Sequence, residues 1–202
     1  MRLRSDSASS SDLLTRFLAA VAVSAALSGL LVDTATAKVF YTQKEALEIA
    51  FPEATRLEKR TFIMSPEEVD TVESTARSSL DSRIAKFHVG WNGEEILGYA
   101  FIDVHTVRTL PEAFMVVIDP SGVVSSVRVL AFHEPLDYLP PDRWYQQFFG
   151  RSREDTLRLG GDIHGVVGAT LSARAVTDSV RRVLALFQVL IVAEKQATVS
   201  PD

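Results

Sequence analysis

The stretch Gly161-Asp162-Ile163-His164-Gly165-Val166-Val167-Gly168-Ala169-Thr170-Leu171-Ser172 joins two resources for chemistry: a backbone able to approach a ligand closely, and a hydroxyl beside it. Its glycines permit positive φ and leave room at the main chain. The apolar periodicity that follows predicts a helix. The first free N–H groups of a helix carry partial positive charge, which suits a phosphate. The same residues also suit a plain loop, in which Gly168 turns the chain and Thr170 or Ser172 caps the helix. A hydrolytic role for Thr170 would require a base, and His164 is near it only in sequence. His88, His105, His133 and His164 show no HExxH or HxH spacing.

Composition removes other chemistries. The 202 residues contain no cysteine, which excludes disulfides, thiolate metal sites, iron-sulfur clusters and Cys nucleophiles. A net charge of -5 with scattered basic residues gives no electrostatic footprint for nucleic acid. The length suits one domain plus a targeting segment.

Val167-Gly168-Ala169-Thr170-Leu171-Ser172-Ala173-Arg174-Ala175-Val176 resembles the signature of the FMN-binding domain family, which includes flavin subunits of the Rnf and sodium-translocating NADH:quinone reductase complexes. The resemblance covers about half the chain, from Ile84 to Val192. It implies covalent FMN, joined through its phosphate to the Thr170 hydroxyl by a flavin transferase. Gly168, Ala169, Leu171, Ser172, His164 and Arg174 would then surround the attachment point. The family pattern places an acid at His164 and Ser or Thr at Val167, so this chain departs from it twice; Asp162 is the nearest acid. Glu134, in the loop His133 to Pro141, matches a family glutamate, and Pro135 replaces the threonine that often follows it. Asp142 to Phe149 corresponds to a Trp- and Phe-bearing helix. Tyr138 and Trp144 are candidates to lie against the isoalloxazine ring, although Trp144 and Phe148 at i and i+4 equally suit packing on a sheet.

The elements that must position this site read as α+β: an antiparallel sheet of about four to six strands, covered by a C-terminal amphipathic helix, with short N-terminal helices. Thr42 and Glu45 form a capping box before a helix that stops short of Pro52. Ser65-Pro66-Glu67-Glu68 starts a second helix, polar enough to lie on the surface and burying little beyond Val69, Val72 and Ala76. Thr55 to Met64 is strand-like. From Ile84 the period is two: Phe87 to Trp91, a turn at Asn92-Gly93, Ile96 to Val107, Phe114 to Ile118, a turn at Asp119 to Gly122, then Val123 to Phe132. Tight turns predict an antiparallel sheet with one buried face, with Trp91, Tyr99, Phe101, Phe114 and Phe132 in the core. Val176, Val180, Val183, Leu184, Phe187, Leu190 and Ile191 mark the covering face of the last helix, opposite Arg174, Asp178, Arg181 and Arg182.

Arg2, Arg4 and Arg16 precede an uncharged stretch from Phe17 to Val32, and Ala35-Thr36-Ala37 follows it. This is a signal peptide pattern with cleavage after Ala37; an uncleaved N-terminal membrane anchor is the alternative. The expected organisation is 1–37 signal peptide, 38–83 N-terminal extension, 84–192 FMN-binding domain and 193–202 loose tail. The expected function is an exported, periplasmic electron carrier with membrane-associated redox partner proteins. The competing expectation is an envelope interaction module with non-covalent FMN or none.

Overall fold

The computed structural model describes residues 38–107, 109–194 and 196. The signal-peptide reading falls on residues 1–37, outside the described residues. Among the described residues no helix is long and apolar enough to cross a membrane.

The predicted α+β architecture is present as a six-stranded antiparallel sheet with helices on both faces. In chain order come β1 (Lys38–Val39), α1 (Gln43–Ala50), β2 (Arg56–Ile63), α2 (Pro66–Ala76), β3 (Ile84–Asn92), β4 (Glu95–Val107), β5 (Leu110–Ile118), β6 (Val124–Phe132) and α3 (Thr170–Leu186). The spatial order is β1-β6-β5-β4-β3-β2, so β2 to β6 form a meander and β1 adds to the far edge.

Both expected capping boxes are formed. Thr42 Oγ1 accepts from Glu45 N at 3.2 Å while Thr42 N donates to the Glu45 carboxylate at 2.8 Å. Ser65 and Glu68 repeat the exchange at 3.2 and 2.7 Å, with Pro66 at the first helical position. The first hairpin turns one residue later than Asn92-Gly93 suggested. Asn92 still pairs with Glu95, leaving Gly93 and Glu94 at the tip, and an irregularity at Gly90/Trp91 shifts the register before it.

The main core lies between the sheet and α3. Phe87, Tyr99, Phe114, Val116 and Ile118 meet Val176, Val180, Val183, Leu184, Phe187 and Ile191, all buried as the helical spacing required. Phe132 is buried too, whereas Trp91 and Phe101 are only partly covered. The polar helix α2 lies on the surface as expected and buries little beyond Val72 and Ala76, with Val69 partly covered. One expectation needs correction here. The sheet is not buried on one face alone: Ala46, Leu47 and Phe51 of the α1 segment cover Ala100, Met115, Val117 and Leu130 on the other.

That second interface depends on two glycines. Gly90 and Gly98 are register partners, and a Cβ at Gly90 would stand 2.6 Å from Phe51 Cγ, while one at Gly98 would stand 2.8 Å from the Ile118 carbonyl oxygen. Their missing side chains make the flat seat for the Phe51 ring. Gly90→Val should therefore lift α1 and cost about 1–3 kcal/mol, the range for overpacking; a urea-unfolding midpoint unchanged from wild type would contradict this.

After β6 the chain makes short 3-10 turns at Leu136–Tyr138 and Asp142–Phe148, and α3 continues through a π-helical segment, Phe187–Val192. The Trp- and Phe-bearing helix is thus 3-10 rather than α. Trp144 N donates to Pro141 O at 2.8 Å and Phe149 N to Gln146 O at 3.1 Å, both three residues back. Ala193 and Glu194 remain helical, and the Glu194 carboxylate accepts from Arg60 Nη2 at 2.6 and 2.7 Å; of the tail beyond Glu194 only Gln196 is among the described residues.

Candidate functional site

Packing against the sheet fixes α3, and α3 fixes Thr170. Thr170 is the first helical residue, and Ala169 precedes it at the cap position with φ -113°. Neither Thr170 nor Ser172 caps the helix: α3 has no side-chain cap and no acid in its first turn, in contrast to α1 and α2. Its leading N–H groups have neither an intrahelical acceptor nor a side-chain cap. Gly168 has φ +86°, and a Cβ there would meet nothing nearer than Asp137 O at 3.9 Å. The turn, not crowding, is what calls for glycine at this position. The Thr170 hydroxyl is exposed and makes one long hydrogen bond, to Val166 O at 3.4 Å.

Of the ten residues singled out in the sequence, seven surround one small cavity. Gly168, Ala169, Thr170, Leu171, Ser172, Glu134 and Tyr138, with Val107, enclose about 90 Å³. Glu134 reaches it from the loop after β6, where its Oε1 accepts from Thr109 N and Leu110 N, each at 3.1 Å. That carboxylate ties the β4–β5 turn to the cavity wall. Val107 and Leu171 also border a larger groove of about 310 Å³, whose walls include His105, Thr106, Arg174, Asp178 and Arg182. The eighth residue, Arg174, is exposed on that groove.

The remaining two stand apart from the cavity wall. Trp144 is buried, edge-on to Tyr145 and Phe148 at 5.2 and 5.3 Å between ring centres, and its indole N–H donates to His164 O at 2.6 Å. His164 N in turn donates to Gln147 Oε1 at 2.8 Å, and its side chain is exposed. Here Trp144 and His164 tie the loop before α3 to the 3-10 helix. Asp162, the nearest acid, spends both oxygens locally, accepting from Leu157 N at 2.9 Å and Arg158 N at 2.6 Å. Val167 is fully exposed.

Beneath the cavity lies a buried polar group that the sequence reading missed. Glu112 on β5 is fully buried; its Oε1 accepts from Ser172 Oγ at 3.1 Å, and its Oε2 has no hydrogen-bond partner. Burial pushes its carboxyl up to about 7, and the charge of Glu134 adds to this against the opposing pull of Ser172 and His105. Its register partner on β4 is His105, which stacks on Phe114 with 5.4 Å between ring centres. His105 Nδ1 lies 3.4 Å from Asp103 Oδ2 without the alignment of a hydrogen bond. Asp103 also accepts from Arg182 of α3. Burial alone would raise Asp103, but His105, Arg182 and Ser179 together hold it well below the usual carboxylate range. Strand parity carried the missing signal: Glu112 shares a face with Phe114, Val116 and Ile118, and Asp103 and His105 share one with Tyr99 and Phe101.

The arginines of α3 also depart from the expected solvent face. Arg181 donates to Ala76 O at 2.9 Å and Leu157 O at 3.1 Å, and Arg182 to Ser78 Oγ at 2.8 Å. Their long stems reach past the apolar stripe to clamp α2.

The raised Glu112 carboxyl makes stability depend on pH. Its ordinary value is 4.5, so below that pH both folded and unfolded chains hold the proton and nothing is lost. As pH rises towards 7 the unfolded chain releases it first, and the fold is weakened. One pKa unit is about 1.4 kcal/mol, which gives a loss of about 2 kcal/mol between pH 5 and 7. Glu112→Gln should remove this decline in urea unfolding measured across that range; a parallel decline in both proteins would contradict the assignment.

Among the described residues no group of three or more His, Cys, Asp or Glu side chains is placed to hold a metal ion. No protein-family model matches the chain, and no curated protein matches it.

Proposed function

We propose that this chain is an exported electron-transfer module that holds FMN, attached through its phosphate to the hydroxyl of Thr170 by a flavin transferase, and that it works with membrane-associated redox partners. The observation that carries the reading is the setting of Thr170: an exposed hydroxyl with one long hydrogen bond, beside a left-handed glycine, on a helix start that no side chain caps.

The residues present fit the phosphate end of such a ligand. The free N–H groups at the start of α3 offer donors, the helix dipole favours negative charge, and Arg174 one turn on adds a cation. Glu134 would oppose an anion, but two backbone N–H groups already share its charge. A ring attached at Thr170 would extend from the small cavity, walled by Tyr138, into the adjoining groove, where Val107 and Leu171 supply apolar surface. That groove is within the lower range of ordinary ligand sites, roughly 300–1,000 Å³. FMN supplies the redox chemistry when bound. The chain anchors it, orients it and leaves one edge accessible to partners. In attachment, the Thr170 O–H bond gives way to an O–P bond, and the leaving group of the flavin nucleotide donor departs with the proton.

A second reading, non-covalent FMN or a flavin-free envelope interaction module, draws on the surroundings of Thr170. Val167 presents no hydroxyl, and Asp162 is committed to the backbone of Leu157 and Arg158. Coexpression with a flavin transferase, denaturation and in-gel fluorescence separate the cases. Fluorescence migrating with the polypeptide supports covalent attachment; FMN released on denaturation selects the non-covalent form; a colourless native protein refutes both flavin readings.

A further inference from the structure

Glu112 is an expensive residue for its position. Its neighbours on that face of β5 are Phe114, Val116 and Ile118, and a carboxyl oxygen without a partner in such a place is costly. The groups facing it are His105 from β4, Glu134 from the loop after β6, Tyr145 from the 3-10 helix and Ser172 from α3. The Tyr145 hydroxyl is itself buried and unbonded. Of these groups Ser172 is the one hydrogen-bonded to Glu112, and it is 2% exposed and forms part of the wall of the Thr170 cavity.

We propose that Glu112 is a positioning residue for the ligand's phosphate: protonated, it donates to Ser172 Oγ and so turns the Ser172 hydroxyl outward as a donor to the anion held at Thr170. This rests on the flavin reading and adds to it a buried acid that decides whether the cavity accepts negative charge. When Glu112 is ionised, Ser172 Oγ donates its proton inward, to Oε1 at 3.1 Å. With a proton on Glu112 the direction of that hydrogen bond reverses, no covalent bond to carbon or phosphorus changes, and no net charge is left beneath the phosphate. With Glu112 ionised, the Ser172 proton is held inward and a carboxylate stands directly behind the anion, next to Glu134. The cavity then repels what it otherwise binds. The uptake of an anion and the retention of a proton on Glu112 are therefore linked.

The test uses the full chain produced without a flavin transferase, so that binding is reversible. FMN and riboflavin differ in the phosphate alone, and their dissociation constants are measured by flavin fluorescence from pH 7 to pH 9. FMN affinity should fall at least tenfold over this interval, riboflavin affinity should change by less than about twofold, and Glu112→Gln, which cannot ionise, should bind FMN with a flat profile. Ser172→Ala should weaken FMN at pH 7 while leaving riboflavin unaffected. A wild-type FMN profile that Glu112→Gln reproduces overturns the proposal while the flavin reading stands. Binding of neither flavin overturns the flavin reading, and the proposal with it.

Discussion

Thr170→Val should abolish covalently retained flavin while leaving the fold almost unchanged. Valine has the shape of threonine without the hydroxyl, and the hydroxyl lost makes only a 3.4 Å hydrogen bond to Val166 O on the surface. The expected cost in stability is below about 1 kcal/mol, but the oxygen that would be esterified is gone, so the effect on attachment is complete. Thr170→Ser keeps the oxygen and should keep attachment. Ser172→Ala supplies the internal comparison: it removes the hydroxyl that bonds Glu112 and should weaken reversible FMN binding, but the Thr170 oxygen remains for esterification, so flavin should still stay with the denatured chain. Flavin retained after denaturation by Thr170→Val but lost from Ser172→Ala would mean that the wrong hydroxyl had been assigned.

Arg182→Ala should be the most damaging of the substitutions away from the cavity. The Arg182 and Asp103 side chains are 14% and 16% exposed, and the guanidinium bonds both Asp103 and Ser78. Removing one member of a buried ion pair strands the other, at a cost of about 4 kcal/mol. The mechanism carries its own pH signature. Asp103 is depressed below its ordinary 3.8, so its contribution is fully present well above that pH and is lost as pH falls through 3.8 towards the folded value. Wild type should weaken along this acid limb, and Arg182→Ala should show a flatter one. Combining Arg182→Met with Asp103→Leu removes both charges and should recover most of the loss. If the double variant is as unstable as Arg182→Ala, stranded charge is not the cause.

Where local chemistry alone decides structure, the residues announced the outcome. Capping at Thr42 and Ser65, the inward stripe of α3 and the two-residue periodicity from Ile84 are each set by nearest neighbours, and each is observed. Where the outcome depended on what arrives from elsewhere in the chain, they did not. The tight turns suggested a sheet with one buried face, but Ala46 and Leu47 of α1 cover Ala100, Met115 and Val117 on the other. Phe51 follows a short helix, and nothing near it in sequence says that paired glycines at 90 and 98 will receive its ring.

The candidate site divides in the same way. Gly168 to Ser172 form one contiguous turn and first helical turn, so their proximity follows from chain order; Glu134 and Tyr138 join them because β6 ends beside the start of α3. Trp144, by contrast, points its indole N–H at the loop that carries His164. Glu112 was legible only through strand parity, which put a carboxyl on the core side of β5, and parity alone could not tell that Ser172 would meet it.

Intact-mass measurement of the exported protein from its native host tests the central claim most directly. The account predicts a polypeptide heavier by one FMN less one water, with the added mass on the peptide that contains Thr170. Bare polypeptide alone would contradict it.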